Sequence, residues 1–333
     1  MKNATQLVKG ETVFSNSTNS RLLKLIAITI VVAGLTAAYA RPIAATKHPA
    51  TVPDGFVITP FGYFHPSCVN QLAEGDVLHS DEKAIERANG TFDKIQVCAY
   101  AHYTADGTKV TGDVREVQPP DISHAWIEYA SIHTSFDYGQ VYGEWAVPAN
   151  PSTNDGQTVF LFNGLEDINN VVTIIQPVLG WNSDYGSAWG IAAWNCCVNG
   201  AVNEAPPAHV NPGDHLLGYT FNNCAAGTRT CSSWDIVIVD EQNGNFSQMI
   251  GTTNYGQTFN WAFGGVLEVY NIKQCGDYPP PDYLGGIGFY NESVLNNKFV
   301  SITPAWKVTN LGGGLNPQCN YGGSVPKQVI LTY

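Results

Sequence analysis

Two polar residues interrupt apolar runs of the chain and are of types that can take part in chemistry. Gln176 closes the run 171–175 and precedes Pro177, and Glu268 lies within the run 264–270. Side chains alternate along a strand, so Glu268 shares a face with Val266 and Tyr270. A carboxyl group on an apolar face has a raised pKa, which suits a general acid or base that works in acid.

The same positions also fit a purely structural interpretation. Pro177 cannot donate to a sheet ladder, which predicts that the Gln176 strand lies at an edge or carries a bulge. Gln176 would then cap an edge strand, and Glu268 would lie on a solvated face, where glutamate is common.

Other catalytic signatures are absent from the sequence. There is no G-x-S-x-G elbow, no H-E-x-x-H, no Asp-Thr/Ser-Gly and no Gly-rich phosphate loop. The histidines after residue 50 stand without metal-ligand spacing. An enzyme built on this chain would therefore rely on carboxylates or amides, with no metal and no cofactor.

Composition narrows the class of protein further. The 333 residues are 44% hydrophobic and 13% charged, with 33 Gly and 19 Pro, which excludes a disordered chain and a long-helix protein. The formal net charge of −12 leaves too few cations to neutralise phosphates, which excludes a nucleic-acid partner.

The N-terminal residues have the pattern of a targeting segment. Four Lys/Arg precede the apolar run 25–35, and Ala38-Tyr39-Ala40 matches a signal-peptidase site. The run is short for a membrane span, so we predict a signal peptide over 1–40 and a mature start at Arg41. The protein is then secreted, without a stable membrane partner; an uncleaved signal anchor is the alternative.

A secreted chain makes its eight cysteines candidates for disulfides rather than metal ligands. Sequence does not determine the pairing, but Cys68–Cys98 and Cys224–Cys231 are plausible local pairs. Three sequons, at Asn89, Asn245 and Asn291, predict glycosylated surface loops in a host that glycosylates.

Charge and pattern divide the mature chain near residue 120. Residues 41–120 hold seven Lys/Arg and ten Asp/Glu, whereas 121–333 hold five and 17. We interpret 41–120 as an N-terminal extension of extended pieces with a short helix at 81–87. From residue 121 onward, short runs rich in β-branched and aromatic residues predict an all-β antiparallel sandwich.

A series of motifs in this region resembles the eqolisin-type glutamic peptidases, which are secreted and act in acid. No single motif is specific, but six occur in the same order. They are Glu144-Trp145-Ala146-Val147-Pro148, the strand 159–164, Ile174-Ile175-Gln176, Ser187-Ala188-Trp189 with Trp194, Asn211-Pro212-Gly213-Asp214, and the strand from Trp261 to Glu268.

The resemblance covers 121–275 and implies a concanavalin-like, jelly-roll type sandwich, with 276–333 completing or flanking it. It implies an endopeptidase, acting as a monomer on a polypeptide substrate, in which Glu268 activates water and Gln176 stabilises the oxyanion. Substrate side chains would contact Trp181, Trp189, Trp194 and Trp261. Because these peptidases are made with a pro-segment, 41–120 is either that segment or a stable extension.

The chain departs from the family pattern at three points. Pro177-Val178 follows the glutamine where a glycine is usual, residues 190–194 replace an aromatic-Glu-Trp stretch, and Trp261 lies seven residues before Glu268. The more distantly similar neprosin proteases use two glutamates. By that likeness Glu128, Glu144 and Glu166 are candidates for a second acid.

Two other classes of function fit the same sequence. A sandwich of this kind also serves as a non-catalytic, lectin-like module that binds carbohydrate or a surface, since fold does not determine function. A structural cell-surface protein anchored by residues 22–40 is the third hypothesis.

Overall fold

The structure is a computed structural model of the chain. It describes residues 48–79, 84–110, 125–169, 173–198, 200–282, 285–326 and 328–333. The predicted signal peptide and its cleavage site lie outside these residues. Within them, no helix is long and apolar enough to cross a bilayer.

The N-terminal segment, residues 48–110, forms short strands in the part that is described. They are β1 (Val57–Thr59), β2 (Gly62–Phe64), β3 (Val69–Gln71), β4 (Val77–His79), β5 (Ala84–Glu86), β6 (Phe92–Lys94), β7 (His102–Tyr103) and β8 (Lys109–Val110). One sheet has the order β1-β2-β7-β8 and another has the order β4-β5-β6.

The helix predicted at 81–87 is wrong. Residues 81–83 lie outside the described residues, and Ala84–Glu86 is strand β5, paired with β4 and β6. The charged residues around it resemble an exposed helix in sequence. Pairing nevertheless buries Ala84 and Ile85, and burial overrides a weak local propensity.

The remainder of the chain consists of longer antiparallel strands. They are β9 (Trp126–His133), β10 (Tyr138–Ala146), β11 (Thr158–Glu166), β12 (Ile174–Trp181), β13 (Trp189–Val198), β14 (Ala201–Glu204), β15 (Ala208–Val210), β16 (His215–Asn222), β17 (Trp234–Asp240), β18 (Phe246–Thr252), β19 (Trp261–Tyr270), β20 (Gly286–Asn296), β21 (Ser301–Ile302), β22 (Lys307–Asn310), β23 (Gly322–Ser324) and β24 (Val329–Thr332).

These strands build two stacked sheets, which confirms the predicted all-β sandwich. The larger sheet has the order β22-β9-β19-β11-β12-β13-β14-β3, with β15 on β13. The smaller has the order β18-β17-β16-β10-β20-β24-β23, with β21 on β20. Strand β3 of the N-terminal segment adds to the larger sheet by parallel pairing with β14.

Each face of the larger sheet is covered by a different layer. The inter-sheet face carries Leu161, Leu179 and Leu267, which pack against residues of the smaller sheet. The opposite face carries Phe160 and Phe162, which belong to an apolar cluster shared with the N-terminal segment. We call this second face the covered face.

Four disulfides are present among the described residues. They join Cys68 to Cys98, Cys196 to Cys197, Cys224 to Cys231, and Cys275 to Cys319. The two local pairs predicted from sequence are confirmed. None of the four joins the N-terminal segment to the sandwich.

Candidate functional site

Gln176 lies on an interior strand, not at an edge as the proline suggested. Strand β12 pairs with β13 along its whole length and with β11 on its other side. Pairing to β11 is interrupted between Phe162–Val178 and Leu165–Ile175, opposite Pro177. The missing N–H is therefore accommodated by a local gap in one ladder while the strand stays internal.

The Gln176 side chain is fully buried on the covered face, with 0% exposure. Neither its Nε2 nor its Oε1 has a hydrogen-bond partner among the described residues. A buried amide without partners costs free energy, typically about 1–3 kcal/mol for each unsatisfied group. Such a group calls for an explanation, and a functional role is one of the common ones.

A glycine on the neighbouring strand allows Gln176 to occupy this place. A Cβ at Gly164 of β11 would lie 2.8 Å from the carbonyl oxygen of Ile175 and 3.2 Å from the Cβ of Gln176. Any larger residue at 164 would press on the Gln176 backbone and side chain.

Glu268 is also fully buried on the covered face, with Val266 and Tyr270 as predicted. The Tyr270 hydroxyl donates a hydrogen bond of 2.6 Å to Oε1, whereas Oε2 has no partner among the described residues. Burial raises the pKa of Glu268 well above its ordinary value, and the charge of Glu166 adds to the rise. The predicted direction of the Glu268 pKa shift is confirmed.

Gln176 and Glu268 share this face but are not neighbours in the ladder. Glu268 pairs with Phe160, which pairs with Gly180, and Gly180 lies four residues from Gln176 on β12. Standard strand dimensions then separate their Cα atoms by about 16 Å. No hydrogen bond joins the two side chains.

Glu166 is the acid nearest to Gln176 by strand register. Leu165 pairs with Ile175, so Glu166, one residue further on, lies opposite Ile174 and diagonal to Gln176. It is 5% exposed, and its Oε2 has no partner among the described residues. Burial raises the pKa of Glu166 to about 8.

The other two candidates for a second acid lie elsewhere. Glu128 pairs with Leu267, an inter-sheet residue, and therefore points between the sheets, where burial raises its pKa to about 8. Glu144 lies on β10 of the smaller sheet and accepts hydrogen bonds from Tyr142 and Asn291. Of these three candidates, Glu166 alone shares the covered face with Gln176.

The tryptophans predicted to contact substrate divide between the two faces. Trp181 and Trp189 are 3% and 1% exposed in the inter-sheet core, with ring centroids 5.4 Å apart. The prediction that Trp181 and Trp189 contact substrate is wrong. Side chains alternate along a strand, and both tryptophans point to the face opposite Gln176. Trp194 and Trp261 do belong to the covered face, and Trp194 pairs directly with Gln176.

The N-terminal segment lies directly over this face. The Tyr63 ring packs edge-on against Tyr270 at 5.6 Å, and its hydroxyl donates a 3.3 Å hydrogen bond to Oδ1 of Asn271. Phe61 packs against Trp194 at 6.2 Å. The segment therefore contacts the neighbours of both Glu268 and Gln176.

A separate cluster of ionisable groups on the smaller sheet consists of Glu144, His215 and Glu241. Their ligand atoms lie within 4.8 Å of one another, the spacing that a metal ion would need. His215 Nδ1 lies 2.7 Å from Glu241, and Nε2 lies 3.5 Å from Glu144. A hydrogen bond between His215 and Glu241 holds two of the three residues together. Sequence analysis missed it because the three residues are far apart along the chain.

No protein-family profile and no curated protein matches the chain. Among solved structures, it is similar to a scytalidoglutamic peptidase with a peptide-based transition-state analogue, at 15% identity and a TM-score of 0.46. That match covers 62% of this chain and 98% of the other. It is also similar to SCP-B, an eqolisin-family peptidase in complex with the tripeptide Ala-Ile-His. There the identity is 15% and the TM-score 0.44, covering 62% and 98% of the two chains.

Proposed function

We propose that this protein is a secreted, acid-acting endopeptidase whose chemistry takes place on the covered face of the larger sheet. The observation that carries the proposal is Gln176, a fully buried amide without partners among the described residues. Glu166 and Glu268 are buried carboxyl groups on the same face. An amide beside carboxyl groups is a set that can hydrolyse a peptide bond without a metal.

The proposed reaction uses one carboxylate as a general base. It takes a proton from water as the water oxygen attacks the scissile carbonyl carbon, and it later returns that proton to the leaving amine. The Gln176 N–H donates to the oxygen that becomes negative in the transition state. The motif resemblance assigns the base to Glu268.

The N-terminal segment accounts for control of this activity. It belongs to residues 41–120, which we propose to be a pro-segment rather than a stable extension. While the segment is in place, burial raises the pKa of Glu166 and of Glu268, which favours their protonated forms. A protonated carboxyl cannot accept the proton of water, so the intact chain is latent.

Removal of the segment would reverse both effects. Water would reach the face, desolvation would decrease, and the pKa values of the carboxyl groups would fall towards their ordinary acidic range. An extended peptide would then occupy the place that β1 and β2 hold, beside Trp194 and Trp261. No disulfide among the described residues ties the segment to the sandwich. After one chain cleavage between them, release would require only that the pairing of β3 with β14 and the apolar contacts of the segment be broken.

Digestion of an acid-denatured protein between pH 2 and 6 tests the proposal, with a pepsin-type inhibitor present to exclude contaminants. Intact and N-terminally processed chains are compared, and N-terminal sequencing of the secreted protein locates the cleavage. We expect activity in the processed chain and little in the intact one. Inactivity of both forms across this range would refute the peptidase. Retention on a polysaccharide column without hydrolysis would then favour a lectin-like binding module.

A further inference from the structure

We infer that Glu166, rather than Glu268, is the catalytic carboxylate that works with Gln176. The inference rests on the proposed peptidase function and names the residue that activates water within it. It follows from strand register, burial and the partners of each side chain.

Register places Glu166 beside Gln176. Residues diagonal to each other on adjacent strands have Cβ atoms about 7–8 Å apart, within reach of two long side chains. That separation leaves space for one water molecule between a carboxylate and an amide that both extend from the same face. The backbone of Glu268 lies about twice as far from Gln176, by the same strand dimensions. Its carboxyl group still approaches that of Glu166, whose charge raises the pKa of Glu268.

The two carboxyl groups also differ in their partners. Glu268 has a fixed one, because the Tyr270 hydroxyl donates to its Oε1, and Tyr270 in turn packs against Tyr63. This arrangement ties Glu268 to the contact with the N-terminal segment. Glu166 Oε2 and both amide atoms of Gln176 lack partners among the described residues. Glu268 Oε2 lacks a partner as well, so three of these four unsatisfied atoms lie at the Gln176 end of the face.

The local sequence of β11 supports a site at that end. Gly164 stands between Phe162 and Glu166 on the same face, where the strand otherwise presents large side chains. Because Gly164 has no side chain, no β11 side chain separates Gln176 from Glu166 on the covered face. Trp261 pairs with Glu166 from β19 and lines the other side.

The reaction balances with these two residues alone. Ionised Glu166 accepts a proton from water while the water oxygen bonds to the carbonyl carbon, and the carbonyl electron pair moves to its oxygen beside the Gln176 N–H. When that pair re-forms the carbonyl, the C–N bond breaks and the proton passes from Glu166 to the amine nitrogen. Glu166 is regenerated as a carboxylate, and no oxidant, metal or co-reactant is consumed.

The test compares three matched variants, Glu166→Gln, Glu268→Gln and Glu128→Gln, in the processed protein. Each replaces a buried carboxyl by a nearly isosteric amide, and a thermal melt at pH 4 verifies folding. For Glu166→Gln we expect kcat/KM to fall by about 100-fold or more, the usual scale of a general base. Glu268→Gln should lose less than about tenfold on the same scale, and Glu128→Gln should remain as active as the unmodified protein.

If Glu166→Gln fails to fold, Glu166→Asp replaces it. The shorter side chain withdraws the carboxylate from Gln176 and should also reduce kcat strongly, with a smaller effect on KM. Full activity in the Glu166 variants together with an inactive Glu268→Gln would overturn this inference and leave the peptidase intact. An inactive processed wild-type protein would instead refute the proposed function itself.

Discussion

The two faces of the larger sheet both bury carboxyl groups, yet only one of them is a candidate for catalysis. Between the sheets, Glu128 on β9 and Glu292 on β20 each have a pKa raised to about 8 by burial. On the covered face, the pKa of Glu166 reaches the same value for the same reason. Titration behaviour alone therefore does not distinguish a catalytic acid from a structural one.

The layer that covers each face does distinguish them. The inter-sheet face is closed by the second sheet of the same sandwich, and uncovering it would mean unfolding the protein. The covered face is closed by an N-terminal segment that no disulfide among the described residues ties to the sandwich. If the segment is removed as proposed, the acids of the covered face become accessible to substrate, and the larger sheet loses strand β3 at its edge.

The largest expected effect concerns stability against pH, where both faces should behave alike. A carboxyl group whose pKa is higher in the folded than in the unfolded state lowers the free energy of unfolding when it ionises. Stability is therefore greatest below about pH 4 and declines as pH rises towards 8, by several kcal/mol for each such group. Thermal melts from pH 3 to 9 measure this decline.

Glu128→Gln and Glu166→Gln should each make that decline shallower, because glutamine does not ionise. Similar flattening in both variants, with activity lost in one, would separate the shared electrostatics from the catalytic role. A melting temperature that holds at pH 8 but falls steeply below pH 4 would contradict the expectation.

The next effect concerns the amide of the covered face. Gln176→Ala removes the proposed oxyanion donor and should lower kcat by about 10²–10³. Combined with Glu166→Gln, the loss should be much less than the product of the single losses, because groups that act on one transition state behave as a unit. Independent, multiplying losses in the double variant would argue against a shared site.

A third prediction tests the cover itself through its disulfide. Cys68–Cys98 closes a loop within the N-terminal segment, with a sequence separation of 30, and such a loop is typically worth about 2–4 kcal/mol. Replacing both cysteines by alanine should loosen the segment and speed its proteolytic removal. The sandwich should melt as before once the segment has been removed.

Cys275–Cys319 provides the matched control, with a sequence separation of 44 within the sandwich. Its replacement should lower the melting temperature of the processed protein and leave removal of the segment largely unchanged. The reverse pattern would mean that the segment and the sandwich unfold as one unit, which would favour a stable extension.

The smallest effect is expected from Tyr63→Phe. The substitution removes only the hydrogen bond to Asn271 and keeps the ring against Tyr270, so it should weaken the cover by about 1 kcal/mol. Hydrogen exchange of the β19 amides should rise slightly, while activity after processing stays the same. An unchanged exchange rate would show that this bond contributes nothing to closure.

The strands of the sandwich were predictable because their pattern is strong and local. Runs such as 158–163 and 234–239 combine β-branched and aromatic residues with turn signals at both ends, and they match strands β11 and β17. Prediction failed where the local signal was ambiguous, as at the charged stretch 81–87. At Pro177 the edge position, one of the two predicted alternatives, was wrong: the strand is interior, and its ladder to β11 has a gap there.

The amino-acid sequence by itself determined the all-β class, because the strand pattern depends on residues close together in the chain. It made the two local disulfide pairs plausible and left open whether Gln176 and Glu268 are buried or solvated. Only the tertiary structure decided which face each side chain occupies and which groups become neighbours. The alternation of side chains along a strand shows which residues share a face, but it does not show which layer will cover that face. Strand register, which depends on segments far apart in sequence, places Glu166 next to Gln176 and directs Trp181 into the core. Packing of the N-terminal segment then covers the candidate site.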